Sequence, residues 1–142
     1  MTQGIKLRPV IFKHVEAELY DYPETKREIK KLREQIMFGS SEVDENVGGG
    51  RSSVPGRPTE RIATRLLTDK RLRNLEEITE AIDWSMGQVS DECRRVIQAK
   101  YWEGGKWLTW SDVAEKCFVH RNTARKYRNK FVFLVAARIG WV

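Results

Sequence analysis

Long apolar runs are missing from the sequence, and so are the residue patterns that build disulfide frameworks or metal sites. No stretch approaches the roughly 20 apolar residues that a membrane-spanning helix needs, and the N-terminal residues lack a signal-peptide core. The only cysteines are Cys93 and Cys117, and neither has metal-ligand spacing to His14 or His120. We therefore expect a cytoplasmic protein with reduced, buried cysteines, no membrane contact, no metal and no cofactor.

Enzyme motifs are also missing. The sequence contains no Gly-rich phosphate loop and no nucleophile motif. Glu76, Glu77 and Glu80 form a small acidic group, but they lie on the polar face of a Leu/Ile-containing helical pattern, which is typical of a solvated surface. The sequence therefore predicts a protein that is not an enzyme.

Acidic residues are absent from the last part of the chain. The 142 residues carry a formal net charge of +6. Between Lys116 and Val142 there are seven Lys or Arg residues and no Asp or Glu. Positive charge gathered in one segment favours an anionic partner such as nucleic acid or a membrane surface. A solvated basic helix face is the alternative interpretation.

The N-terminal pattern is helical and ends in a polar, Gly/Ser-rich stretch. Apolar or aromatic residues recur every seven positions at Val15, Tyr22, Ile29 and Ile36. Proline suits the first residue of a helix, so we expect a short helix, a break near "DYP", and a second helix from Pro23 to Phe38. This pair either packs on the same chain or forms a dimerisation arm, which makes residues 10–38 a candidate homo-oligomer contact.

The sequence is expected to divide into three parts. It contains no alternating strand pattern of useful length and no internal repeat. Residues 1–38 are predicted as an N-terminal helical arm, and residues 39–57 as a flexible linker because they are poor in apolar side chains. Residues 58–142 return to helical spacing, with a helix predicted to end at Gly87 and another to be capped by Ser90. The predicted fold class is all-α.

A helix-turn-helix is predicted within residues 109–138 of the last part. Thr109 and Asp112 fit a capping box, in which a hydroxyl caps the helix and an acid three residues later bonds back. The apolar turn "CFV" follows, and a second helix is predicted from His120 or Arg121. The inward positions are expected to be Val113, Ala114, Cys117, Val119, Ala124, Tyr127, Phe131 and Leu134.

The outward side of the second helix carries hydrogen-bond donors, amides and one hydroxyl. Arg can bridge guanine and Asn can bridge adenine in the major groove, while Lys and Arg contact phosphates. We expect Arg121, Asn122 and Arg125 to contact bases and the lysines and Arg128 to hold phosphates of double-stranded DNA. The candidate DNA-contact residues are His120, Arg121, Asn122, Thr123, Arg125, Lys126, Arg128, Asn129 and Lys130.

These residues, together with the preceding "KYWEG" (Lys100 to Gly104), resemble region four of bacterial sigma factors. That family often has Gly in the turn and Ser as the recognition-helix cap, where this chain has Phe118 and His120. Over nearly its whole length, in the order "EAELYDYPETKREIKKLREQI", linker, "RPTERIATRLL" and sigma-like C-terminus, the chain resembles the RinA/ArpU family of phage and prophage regulators. The resemblance implies a transcriptional activator of late phage genes.

Two other functions stay open at this stage. A small terminase subunit, which recognises packaging-site DNA, also joins a helix-turn-helix to helical oligomerisation elements. A protein-interaction module built on residues 10–38 is the other alternative. Trp102, Trp107 and Trp110 crowd the loop before the helix-turn-helix; they are expected to close the core there, with a contact surface for bacterial RNA polymerase as the alternative.

Overall fold

The structure is a computed structural model, and it describes residues 6–50, 58–104 and 107–142. These ranges form five α-helices and one π-helical segment and contain no strand. The elements are α1 (Pro9–Gly50), α2 (Pro58–Gly87), α3 (Asp91–Ile97), the π-helical segment (Gln98–Glu103), α4 (Trp110–Cys117) and α5 (Arg121–Ile139). The predicted all-α fold is confirmed.

The chain divides into two compact units. The first unit is Met1–Pro23 together with Ile78–Val142, and the second is Glu24–Glu77. Neither unit ends at residue 38 or 58, where the sequence placed the limits of the arm and the linker. Those limits stay a prediction.

The first unit has a core to which five elements contribute. Val15 and Leu19 of α1 are fully buried in it, as is Phe131 of α5. These α1 side chains pack within their own chain, as one of the two interpretations of residues 10–38 expected. The buried members of this core are Val15, Leu19, Ala81, Ile82, Val89, Cys93, Ile97, Tyr101, Phe131, Val132, Val135 and Ala136.

The predicted helix break near "DYP" is wrong, because α1 continues through Pro23. Proline has no N–H, so the carbonyl four residues earlier, that of Leu19, loses its helical donor. The indole Nε1 of Trp102 donates to that carbonyl oxygen at 2.7 Å instead. The Trp102 ring also stacks on Tyr22, with ring centroids 4.9 Å apart. A side chain from a distant part of the sequence thus supplies the hydrogen bond that the helix itself lacks.

Several local predictions of helix ends are confirmed. The Ser90 hydroxyl caps α3 by accepting from the Cys93 N–H at 3.2 Å. α2 ends at Gly87. Gly140, for which no such role was predicted, closes α5 in the left-handed conformation, with φ of 99°. This is the usual glycine solution to a helix C-terminus.

The second unit is formed by parts of α1 and α2. Ile29 and Leu32 are buried there, and the Arg33 guanidinium donates to Glu76 Oε2 at 2.6 Å from Nη2. α1 runs to Gly50, so residues 39–50, predicted as linker, are helical. Extending an existing helix costs far less free energy than starting one. This explains how α1 can continue through the polar residues 39–50. The rest of the predicted linker, residues 51–57, lies outside the described residues.

Candidate nucleic-acid interface

α4 begins with the predicted capping box. The Thr109 hydroxyl accepts from the Asp112 N–H at 3.1 Å, and the Asp112 carboxylate accepts from the Thr109 N–H at 3.3 Å. Both groups would otherwise be unpaired at a helix N-terminus. The box fixes where α4 starts, and the short length of the helix then fixes where the turn follows.

A small apolar core joins α3, the π-helical segment, α4 and α5. Val113, Ala114 and Cys117 of α4 are buried against Ala124 of α5, as predicted. Val119 in the turn and Tyr127 are partly buried against the same cluster. This packing braces α5 against α4 and leaves the opposite side of the first half of α5 open to solvent.

The turn between α4 and α5 consists of Phe118, Val119 and His120, one residue later than the predicted "CFV", because Cys117 is the last residue of α4. Phe118 has φ of 60° and ψ of 43°, a left-handed conformation. The Val119 N–H donates to the Ala114 carbonyl at 3.0 Å, which closes the C-terminus of α4. The turn geometry thus forms with Phe in the position where the sigma-like pattern has Gly. The Phe118 side chain is 92% exposed.

His120 caps α5 in place of the serine of the sigma-like pattern. Its backbone is extended, with φ of −74° and ψ of 148°. The imidazole Nδ1 accepts from the Asn122 N–H at 3.0 Å. An imidazole nitrogen therefore takes the role of the cap hydroxyl, and α5 starts at Arg121 as predicted.

Seven of the nine candidate DNA-contact side chains are exposed. Thr123 and Arg128 are half-buried. The exposed ones are His120, Arg121, Asn122, Arg125, Lys126, Asn129 and Lys130. Within the described part of the chain, Arg125, Lys126 and Lys130 form no hydrogen bond or ion pair. Their charges therefore face solvent.

Arg128 differs from the other candidates because its guanidinium is held inside the first unit. Its Nη1 pairs with Glu16 Oε2 at 3.2 Å, and its centre lies 4.9 Å from the ring centroids of both Phe12 and Trp110. The Tyr101 hydroxyl donates to the same Glu16 oxygen at 2.6 Å. Of the predicted phosphate contacts, Arg128 is thus the one already occupied by an internal partner.

The Tyr101 phenol and the Lys100 amine both interact electrostatically with Glu16 and Arg128. Burial raises the pKa of the Tyr101 phenol, and the hydrogen bond to Glu16 raises it further, so the phenol keeps its proton and donates. Lys100 Nζ donates to the Leu108 carbonyl at 2.7 Å and lies 5.0 Å from the Trp110 ring centroid. Burial lowers the pKa of Lys100. Trp110 therefore has a cation against it from each of two elements.

The loop tryptophans do not share one environment. Trp102 and Trp110 pack within the first unit, as the core interpretation expected. Trp107 is 91% exposed. The pairing of Arg128 with α1 and the exposure of Phe118 are features that sequence reasoning missed. A signal for the second was present, because the sigma-like pattern places Phe118 in a turn and turns lie at the protein surface.

Other kinds of site find no support among the described residues. No group of three or more His, Cys, Asp or Glu side chains is placed there to hold a metal ion. In the same part of the chain, no helix combines the length and apolar character needed to cross a membrane.

Comparison with known proteins gives one family and one curated relative. Residues 13–137 match the family model described as "Protein of unknown function (DUF722)". A "Transcriptional activator rinA" of Staphylococcus phage phi11 is 27% identical over 137 residues, which cover 96% of this chain and 94% of the relative. No solved structure matches. The resemblance to RinA that the sequence indicated is confirmed, and the chain belongs to the DUF722 family.

Proposed function

We propose that this chain is a sequence-specific DNA-binding regulator of phage transcription, an activator of late genes, and that α5 is its recognition helix. The observation that carries the proposal is the first half of α5, which presents Arg121, Asn122, Arg125 and Lys126 to solvent beside a braced turn. The name of the phage phi11 relative, a transcriptional activator, supports the same class of function.

Roles follow from the chemistry of each side chain. Arg121, Asn122 and Arg125 contact base edges, since planar guanidinium and amide groups can make two hydrogen bonds to one base. His120 and Thr123 are further candidates for the same groove. Lys126, Asn129 and Lys130 contact phosphates, which fixes the position of α5 on the duplex without specifying sequence. Arg128 contributes by holding α5 on α1 through Glu16.

The first experiment identifies the DNA. Sheared DNA of the phage or prophage that encodes the chain is incubated with the full-length protein, pulled down and sequenced at two salt concentrations. One enriched site upstream of the late operon is the expected result. Enrichment within or beside the terminase genes would instead favour packaging recognition, and no enrichment at low salt would contradict DNA binding altogether.

Two arginine variants then test the assignment of α5. Arg125→Ala is expected to weaken binding to the enriched site by about 1–3 kcal/mol and to relax preference at one base position. Its unfolding free energy should change by less than about 0.5 kcal/mol, because the side chain is exposed. Affinity is measured by fluorescence anisotropy on labelled duplexes, and stability by urea unfolding.

Arg128→Ala is the matched control, since it removes the same side chain three residues further along α5. It leaves Glu16 without its cation in a half-buried site, so we expect a loss of about 1–2 kcal/mol in unfolding free energy. The dependence of DNA affinity on salt should stay close to that of the unmodified protein, because no phosphate contact is lost. If Arg125→Ala left affinity and preference intact, α5 would not be the recognition helix.

A further inference from the structure

Phe118 has a strained backbone conformation and an exposed aromatic side chain, and contacts within the chain explain neither feature. It is the one non-glycine residue with positive φ among the residues that the structure describes. Bulky side chains take this conformation rarely, because the Cβ crowds the following carbonyl. Its ring is also 92% exposed, so burial of apolar surface does not offset the backbone strain.

The same chain uses the conventional solution elsewhere. At the C-terminus of α5, the left-handed position is occupied by Gly140, with φ of 99°. Glycine at Phe118 would satisfy the turn equally well, since the turn bonds involve backbone groups only. An aromatic side chain that is strained and solvent-exposed is best explained by a contact made outside the folded chain.

The position of Phe118 points to DNA as that partner. It lies two residues before the exposed His120, the cap of α5, and three before the exposed Arg121. A recognition helix enters the major groove by its N-terminal residues, which brings the preceding turn to the edge of the same groove. The apolar group offered there is the 5-methyl of thymine, which aromatic side chains contact directly.

We propose that Phe118 is a specificity-determining residue that contacts a thymine methyl at the edge of the DNA site bound by α5. The inference depends on the proposed function, because it needs α5 in the major groove. The strained turn then holds an apolar contact at the end of a recognition surface that is otherwise made of hydrogen-bond donors.

The decisive variant is Phe118→Gly, which should stabilise the fold while it removes the contact. We expect its melting temperature to rise by about 2–5 °C, since glycine relieves the left-handed strain. Its affinity for the enriched duplex should fall roughly tenfold, with an unchanged salt dependence because no charge is lost. Phe118→Leu keeps an apolar side chain and should lose less affinity than Phe118→Gly.

Replacement of single thymines by deoxyuridine tests the contact itself, because it removes only the methyl group. At one or two positions of the site, uracil is expected to lower the affinity of the unmodified protein several-fold. Phe118→Gly should be insensitive at those positions. Trp107→Ala is the matched control, since Trp107 is equally exposed but lies before α4; it should keep the pattern of the unmodified protein.

Two results would overturn the inference. Phe118→Gly could lose affinity yet keep the full uracil sensitivity, or it could bind the duplex as tightly as the unmodified protein. Tight binding with a loss of activated transcription alone would assign Phe118 to a protein partner. Failure of the proposed function is a separate result, because it shows as unaltered binding by Arg125→Ala.

Discussion

The backbone departs from ordinary rules at Pro23 in α1 and at Phe118 after α4, and the two departures are handled in opposite ways. At Pro23 the missing helical hydrogen bond is replaced by the Trp102 indole, which donates to the Leu19 carbonyl. At Phe118 the left-handed strain has no compensating burial. The unusual residue whose lost hydrogen bond is replaced within the fold has a structural role. The one whose strain is not offset within the fold is a candidate for binding a partner.

The largest effect on unfolding free energy is expected from removing the Trp102 hydrogen bond to the Leu19 carbonyl, which replaces the bond lost at Pro23. Trp102→Phe removes the indole donor and some ring volume, and leaves the Leu19 carbonyl unpaired. We expect a loss of about 2–3 kcal/mol in unfolding free energy, measured by urea denaturation. In a Pro23→Ala background, the backbone N–H that the substitution restores can donate to the same carbonyl, so the Trp102→Phe loss should be smaller by about 1–2 kcal/mol. Equal losses in both backgrounds would show that the indole does not replace the helical bond.

Intermediate effects on unfolding free energy are expected at the two ends of α4. Thr109→Ala removes half of the capping box and should cost about 1 kcal/mol. Phe118→Gly at the other end should change stability by a similar amount in the opposite direction. Urea unfolding of both single variants and of the double variant measures this, and the two effects should cancel approximately. A destabilised Phe118→Gly protein would mean that the strain at Phe118 is smaller than the entropy cost that glycine adds through the unfolded chain.

The smallest effect concerns the buried thiol of Cys93 in α3, whose contribution to the unfolding free energy depends on pH. The Cys93 thiol donates to the Tyr127 carbonyl across 3.7 Å, and burial raises its pKa from 9.0 to about 11. Because the folded state holds this proton more tightly, the contribution is complete below pH 9 and is lost as pH rises towards 11. By about pH 9.5 the unfolding free energy should have fallen by about 1 kcal/mol or less from this source.

The comparison that isolates this contribution is with Cys93→Ser, which has no group that titrates in the range. Unfolding free energies of both proteins are measured from about pH 8 to 9.5, so that the shared titration of lysines and tyrosines cancels. The unmodified protein should lose more stability with rising pH. Parallel curves would contradict a raised thiol pKa.

Features set by neighbouring residues were predictable from the sequence. The Thr109 and Asp112 capping box, the Ser90 cap and the buried stripe of α4 depend on spacings of three and four residues, which a sequence displays directly. The start of α5 followed from the same local pattern. The residues that decide these features lie within a few positions of one another in the sequence.

Features set by distant partners were not predictable in this way. Pro23 suggested a helix break because nothing near it in sequence offers the Leu19 carbonyl a donor; the donor lies 83 residues away. Arg128 resembled the other basic residues of α5 until Glu16, 112 residues away, accounted for its charge. In both cases a side chain from elsewhere in the chain decides the outcome, and periodicity carries no information about it.

The number of residues in the π-helical segment is constrained by the contacts that its side chains make. Trp102 and Tyr101 project from this wide turn towards the Leu19 carbonyl and the Glu16 carboxylate. Loss of one residue between Gln98 and Glu103 would rotate the side chains beyond it by roughly a quarter of a turn. Both hydrogen bonds would then be lost together. Across the history of this family, insertions and deletions are therefore expected to fall outside this segment.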